Sequence, residues 1–367
     1  MFRPRLAPIA ASLSETVPFV GPEALERLRG TPFLARLGAN ESPFGPAPSA
    51  CAAMAAAISS GWKYGDPECH DLRQALAAHH GVAPDEIVVG EGIDGLLGLA
   101  VRLFAGPGAA VVTSQGAYPT LNYHIAGFGA RLVAVPYRDA HEDIDALAAT
   151  ARREGAAIVY LANPDNPMGS WWPAAAVERF IASVPETTLI LLDEAYGEFA
   201  PSGTLPALDT TRPNVLRLRT FSKAHGMAGL RCGYAIGERQ TIRAFERVRN
   251  HFGVNAVAQA GAMAALADPA HLAWVVECTA MARARIAAMA AAVGLRPLPS
   301  ATNFVTIDCG RDAAYAKALL DELATHGIFI RKPAAPGLDH CIRISVGTDD
   351  ALDRLDETWP KVLAVLG

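Results

Sequence analysis

Between residues 85 and 237, seven short apolar runs, at 87–89, 110–113, 132–135, 158–161, 189–192, 215–218 and 234–236, alternate with segments of helical spacing. Most of these runs show no polar alternation. They predict strands buried on both faces, the mark of a mainly parallel sheet covered by helices. Segments 93–104 and 174–183 supply two of the covering helices. The fold class is therefore α/β, with a large doubly wound, mainly parallel seven-stranded sheet. After about residue 250, long alanine-rich helical stretches give way to short strands at 304–307, 328–330 and 342–346 and a closing helix. Such segregated elements predict a smaller α+β domain. The expected division is 1–45 for a proline- and glycine-rich N-terminal arm with part of the small domain, 46–250 for the large domain and 251–367 for the small one.

A formal net charge of −5 over 367 residues, with no basic run, gives no footprint for nucleic acid or anionic lipid. No window reaches the roughly 18 apolar residues that span a bilayer, and Pro4 and Pro8 interrupt the N-terminus where a secretory signal would need an apolar core. A cytoplasmic protein with small-molecule partners is the expectation. The six cysteines are scattered without metal-type spacing and read as reduced, buried small hydrophobes. His79 and His80 close an amphipathic helix, and no metal is expected.

In an open α/β sheet the ligand lies beyond the carboxyl ends of the strands, so the residues that follow each run carry the chemistry. After 87–89 comes Gly90-Glu-Gly-Ile-Asp-Gly95, which matches the dinucleotide fingerprint. That fingerprint wants an acidic residue about twenty positions on, yet no Asp or Glu stands between Asp94 and Asp139. What survives is a turn that points the amides of Gly92, Ile93 and Asp94 at a phosphate over a helix N-terminus, or caps a helix without any ligand. After 158–161 comes Asn163-Pro-Asp-Asn-Pro-Met-Gly169, and after 189–192 comes Asp193-Glu-Ala-Tyr196. Asp193 at a strand end needs a cation or a protonated ring nitrogen to offset its desolvation. After 215–218 follow Thr220, Ser222, Lys223 and Arg231. Lys223 taken alone reads as an ordinary solvated surface charge. Together these residues supply a phosphate cup, a carboxylate for a pyridinium, a phenol and an amide for a ring hydroxyl, and an amine for an aldehyde. Pyridoxal 5'-phosphate asks for that set.

With Asn40-Glu-Ser-Pro-Phe-Gly45, Lys63-Tyr-Gly-Asp66, the stretch from Arg219 to Arg231, and Cys341-Ile-Arg-Ile-Ser-Val-Gly-Thr348 in this order, the chain resembles fold-type I pyridoxal phosphate aminotransferases of class I/II, histidinol-phosphate aminotransferases above all. The resemblance implies that Lys223 carries the cofactor and moves the substrate proton, and that Asp193 pairs with the pyridine nitrogen. It further implies that Asn166 and Tyr196 bond the ring hydroxyl, and that Tyr118 stacks on the ring. The phosphate would be held by the 92–94 amides, Thr220, Ser222 and Arg231. Tyr64 would reach the phosphate from the partner of a homodimer with shared sites. Arg331 and Arg343, with Asn40 near them, would meet the anionic group of an amino donor, and a 2-oxo acid would complete a ping-pong cycle. His225 fits either a functional or a packing role.

Two departures bear on the substrate. Phe19, in Val17-Pro-Phe-Val20, stands where many members of the family have a tyrosine that touches a substrate phosphate, and Met168 replaces a threonine before Trp171 and Trp172. Histidinol phosphate and an aromatic amino acid both remain open as donors. A lyase on the same scaffold, such as a phosphothreonine decarboxylase, would use the same cofactor residues and is the alternative activity. A nicotinamide dehydrogenase rests on the glycine motif alone, and a non-catalytic domain of the same fold has the intact Lys223 against it.

Overall fold

The computed structural model describes residues 4–15 and 20–367, so Phe19 lies outside the described residues. Among them the strands run, in chain order, β1 (Ala35–Arg36), β2 (Ile87–Gly90), β3 (Ala110–Ser114), β4 (Arg131–Val135), β5 (Ile158–Ala162), β6 (Leu189–Asp193), β7 (Val215–Thr220), β8 (Gly233–Gly237), β9 (Arg296–Pro297), β10 (Phe304–Asp308), β11 (Ile328–Phe329) and β12 (Cys341–Ser345). All seven expected strands of the large sheet are present, in the order β2-β8-β7-β6-β5-β3-β4. The pairs from β7 through to β4 are parallel, while β8 runs antiparallel to both β2 and β7.

The uninterrupted apolar runs follow from burial on both faces. Ile158 and Tyr160 of β5 pack into one core layer with Leu96 and Leu191, while Val159 and Leu161 between them pack into the other with Leu147 and Phe180. Side chains on a strand alternate faces, so only a doubly covered strand can be apolar at every position. The helices at Gly92–Phe104 and Ala174–Ser183 lie where the sequence places them. β4 departs from the expectation of burial: it bonds only to β3 at the sheet edge, and Arg131, Leu132 and Ala134 are exposed.

Beyond the large sheet, β10 pairs antiparallel with β12 and β9 over a separate core containing Ile286, Leu319, Ile342 and Trp359. The N-terminal segment joins this part of the chain. β1 pairs parallel with β11, and the Ser345 amide donates to the Leu37 carbonyl at 2.8 Å, which brings the chain to Asn40 at the mouth of the large sheet. No helix among the described residues is long and apolar enough to cross a membrane.

Beneath the sheet edge Glu194 is fully buried between two arginines. Its carboxylate accepts from Arg217 Nε at 2.9 Å and from Arg219 Nε at 2.9 Å, and Arg217 Nη1 bonds the carbonyls of Pro206 and Ala207. Removing one partner of such a group leaves an uncompensated buried charge, which costs about 3–5 kcal/mol. Glu194→Gln is therefore expected to lower the unfolding free energy by about that much, read as a lower urea midpoint at unchanged m, and an unchanged midpoint would show that the arginines are otherwise satisfied.

Candidate active site

Strand register brings the site together. Ala162, at the end of β5, stands beside Asp193, at the end of β6, and Asp193 stands beside Leu218 of β7. Gly233 of β8 pairs with Gly90 of β2 on one side and with Thr220 of β7 on the other. The turn after β2, the segment after β7 and the approach to β8 therefore meet at one edge, beside the loops that follow β5 and β6. They enclose a cavity of about 270 Å³.

One end of the cavity is built for an anion. The helix opens at Gly92, whose φ of +75° suits glycine, and a Cβ there would lie 2.5 Å from Arg231 Nη2. Arg231, itself left-handed at φ +54°, donates to Ser222 Oγ at 3.3 Å and to the Ala228 carbonyl at 2.9 Å. The Thr220 hydroxyl sits 2.9 Å from the Ser222 hydroxyl. The Asp94 carboxylate accepts from the Tyr118 hydroxyl at 2.8 Å and from Arg231 Nη2 at 3.4 Å. A helix N-terminus, two hydroxyls and a guanidinium make an anion cradle.

At the other end a carboxyl and an amine are buried without forming an ion pair. Asp193 accepts from the Tyr160 hydroxyl at 2.7 Å and from the Ala195 amide at 2.9 Å, and burial pushes its pKa up to about 6. Lys223 Nζ donates to the Asn40 carbonyl at 3.1 Å and lies 5.6 Å from the centre of the Tyr196 ring. Burial first, and then the positive Arg343, bring its pKa down to about 8. The Tyr196 hydroxyl accepts from Asn40 Nδ2 at 3.1 Å, and burial raises its pKa to about 12. Asn40 is pinned in turn: its carbonyl takes Asn303 Nδ2 at 2.9 Å and its Oδ1 takes the Ser345 hydroxyl at 2.8 Å.

Of the residues singled out in the sequence, Ile93, Asp94, Tyr118, Asn166, Asp193, Tyr196, Thr220, Ser222, Lys223 and Arg231 line the cavity. Gly92 lies directly beneath Arg231, and Asn40 and Arg343 stand just behind the wall. Arg343 donates through Nη1 to Asn166 Oδ1 and through Nη2 to the Gly38 carbonyl, with its ring-facing side over Phe304. Arg331 is tied to it by a backbone bridge and bonds the Val20 carbonyl. Tyr64 lies outside the cavity: it is 80% exposed and stacks on Phe252 with ring centres 4.7 Å apart. His225 is packed against Phe221 and does not line the cavity. Met168 points elsewhere, into a second cavity of about 670 Å³ beside Leu338 and Cys341. Sequence reasoning missed Tyr160, the partner of Asp193. The only available signal was a phenol two residues from the end of an otherwise aliphatic strand.

The sequence profile of class I and class II aminotransferases matches residues 34–357. The chain belongs to the class I and II aminotransferase family. A histidinol-phosphate aminotransferase of Anaeromyxobacter sp. (strain Fw109-5) is 38% identical over 99% of this chain and 98% of its own length. The histidinol-phosphate aminotransferase 2 of Ralstonia nicotianae is 39% identical over 86% of this chain and 84% of its own. The crystal structure of histidinol-phosphate aminotransferase from Sinorhizobium meliloti, in complex with pyridoxal-5'-phosphate, superimposes with a TM-score of 0.96 at 55% identity, covering 99% of this chain and 98% of that one. An aminotransferase takes the place of the dinucleotide enzyme that the glycine motif alone suggested.

The buried Asp193 carries a consequence for stability. Its folded pKa of about 6 stands above the ordinary value of 3.8, so between those pH values the folded state holds a proton that the unfolded state has lost. Its contribution to stability is therefore greatest at the acid side and falls as pH rises through that window. In the cofactor-free protein the melting temperature of Asp193→Asn should gain on that of the wild type as pH rises from about 4 to about 6. A constant difference across the window would place the carboxyl in a more polar setting.

Proposed function

We propose that this chain is a pyridoxal 5'-phosphate-dependent aminotransferase that takes its amino group from histidinol phosphate and passes it to a 2-oxo acid, working as a homodimer with shared sites. The observation that carries the reading is the convergence of Lys223, Asp193 and the Arg231 cradle on one cavity, in a fold shared at 55% identity with a histidinol-phosphate aminotransferase.

The residues present fit the cofactor. The space above Gly92 is kept free of any Cβ where Arg231 closes in, as a phosphate needs. Asp193 is buried with neutral donors only, which suits a protonated pyridine nitrogen. Arg343 Nε is buried with no hydrogen-bond partner among the described residues, which leaves donor capacity for an anionic substrate. When bound, pyridoxal phosphate supplies an electron-withdrawing ring that stabilises the charge left as the substrate's α-proton departs.

Each residue then has a task. The 92–94 amides, Thr220, Ser222 and Arg231 would hold the phosphate. Asp193, itself held in place by Tyr160, would keep a proton on the ring nitrogen. Asn166 and Tyr196 would meet the ring hydroxyl, and Tyr118 would lie against the ring. Lys223 would hold the cofactor and afterwards carry the substrate proton at Nζ. Its lowered pKa leaves a useful neutral fraction of the amine just above neutrality. Arg343, with Arg331 beside it, meets the substrate's anionic group, and Asn40 orients Lys223 and Tyr196 toward the same place. Tyr64 and its exposed neighbour Trp62 suit the face of a partner subunit, whose cavity Tyr64 would complete. Met168 faces the second cavity, so the methionine in the asparagine–proline turn does not stand between this site and histidinol phosphate.

Purified protein should be yellow with bound cofactor and should convert histidinol phosphate with a 2-oxo acid, returning to its starting absorbance when the acceptor is added. Lys223→Ala should lower kcat by more than about 10³-fold. Arg231→Ala should raise the dissociation constant of the cofactor about 10- to 100-fold, the value of a charged hydrogen bond. Release of carbon dioxide from the donor without amination of the cofactor would replace this reading with a lyase.

A further inference from the structure

Behind the loop that carries Asn166 lie two carboxyl groups that the scheme above leaves unused. Glu142 and Asp165 are 1% and 2% exposed, and their side chains bond to each other. The other donors around them are neutral. The Ser114 hydroxyl, at 2.9 Å, and the Ala162 amide, at 3.2 Å, donate to Glu142. The Tyr137 hydroxyl, at 2.8 Å, and the Met168 amide, at 3.0 Å, donate to Asp165. Of the remaining titratable groups around the couple, Tyr160 faces Glu142, while His141, Tyr196 and Arg343 interact with Asp165. None of the four forms an ion pair with the couple among the described residues.

Two touching buried carboxyls with no cation paired to either do not both ionise, so they hold a proton between them. Burial raises both, Asp165 to about 6 and Glu142 well above its usual range. The couple titrates as a unit, and with the shared proton on Glu142, Asp165 accepts from three donors.

The couple holds together the parts of the fold that position Asn166. Through its two oxygens Glu142 ties the last residue of β3, Ser114, to the last residue of β5, Ala162. Asp165 organises the turn that follows: its amide donates to the Ser170 carbonyl at 2.8 Å, its carbonyl takes the Gly169 amide at 3.1 Å, and its carboxylate takes the Met168 amide. Within this turn Asn166 faces the cavity and holds Arg343. We propose that Glu142 is a positioning residue: as a neutral acid it donates to Asp165 and so fixes the 165–170 turn that aims Asn166, and through it Arg343, at the cofactor cavity. The positioning role rests on the reading of that cavity as a pyridoxal phosphate site.

The test compares wild type, Glu142→Gln and Glu142→Ala, all reconstituted with pyridoxal phosphate. At neutral pH the wild type should show the infrared carbonyl stretch of a protonated buried acid, and Glu142→Gln should lack it. The glutamine nitrogen can donate to Asp165 as the acid does, its oxygen can keep the Ala162 amide, and the Ser114 hydroxyl can turn to accept, so this variant should keep cofactor affinity and kcat/KM within about twofold of wild type. Glu142→Ala, measured per cofactor-loaded site so that unfolded protein does not count, should lose about tenfold in both, the equivalent of one net hydrogen bond. Identical infrared spectra for wild type and Glu142→Gln would overturn the proposal. So would an alanine variant that melts lower but turns over normally at each loaded site, which is the result of a purely structural role. A wild type that takes up no pyridoxal phosphate would overturn the functional reading and the positioning role with it. That outcome is distinct from failure of the proposal alone, in which the wild type transaminates and the variants lose nothing.

Discussion

The lateral register of β5, β6 and β7 is the constraint on which the rest depends. Parallel strands in step deliver their carboxyl ends to a common edge, so that residues more than twenty positions apart become neighbours without any direct interaction. Ala162, Asp193 and Leu218 stand in one row, and the loops leaving that row carry the asparagine, the carboxylate and the lysine. The ends of the strands are also where the interior becomes polar. Asp193 is buried and Lys223 partly so, yet each is satisfied by neutral groups, Tyr160 and the Ala195 amide for one and the Asn40 carbonyl for the other. Two opposite charges in one cavity that do not neutralise each other leave room for a ligand to bridge them.

Asn40 is the second organising point. It sits at a left-handed φ of +57°, a conformation that asparagine tolerates better than most residues. Its bonds reach Tyr196 and Lys223 on the large-sheet side and Asn303 and Ser345 on the other. One residue, through its main-chain carbonyl and its side chain together, thus connects the amine to the sheet that carries Arg343, and a displacement between the two sheets would be felt at Nζ.

Much of this was legible in the sequence, for identifiable reasons. The seven runs declare a buried sheet because double coverage removes polar residues, and the residues after them were candidates because strand ends are where such sheets bind. The edge strand β4 was not legible, since Leu132, Val133 and Val135 look the same whether a second neighbour covers them or not. Tyr160 and the Glu142–Asp165 couple escaped for the opposite reason. A tyrosine inside an aliphatic run reads as packing, and two acids 23 positions apart reveal their contact only once β3 and β5 are paired. Met168 was legible as an unusual residue, but its direction was not, because the turn beyond Asp165 decides which cavity it enters.

The double pairing of Gly233 has a consequence for how such a chain can change. Because β8 is bonded on both sides, to Gly90 and to Thr220, the segment that leaves β7 and returns at β8 acts as a ruler with both ends fixed. With both ends held, a one-residue insertion there could not be taken up by strand slippage and would bulge the turn that carries Ser222, Lys223 and Arg231, moving those side chains off the cavity. Additions of length are tolerable in the connections on the far side of the sheet, whereas the stretch from Thr220 to Gly233 can vary only in composition, and the number of its residues is itself part of the binding site.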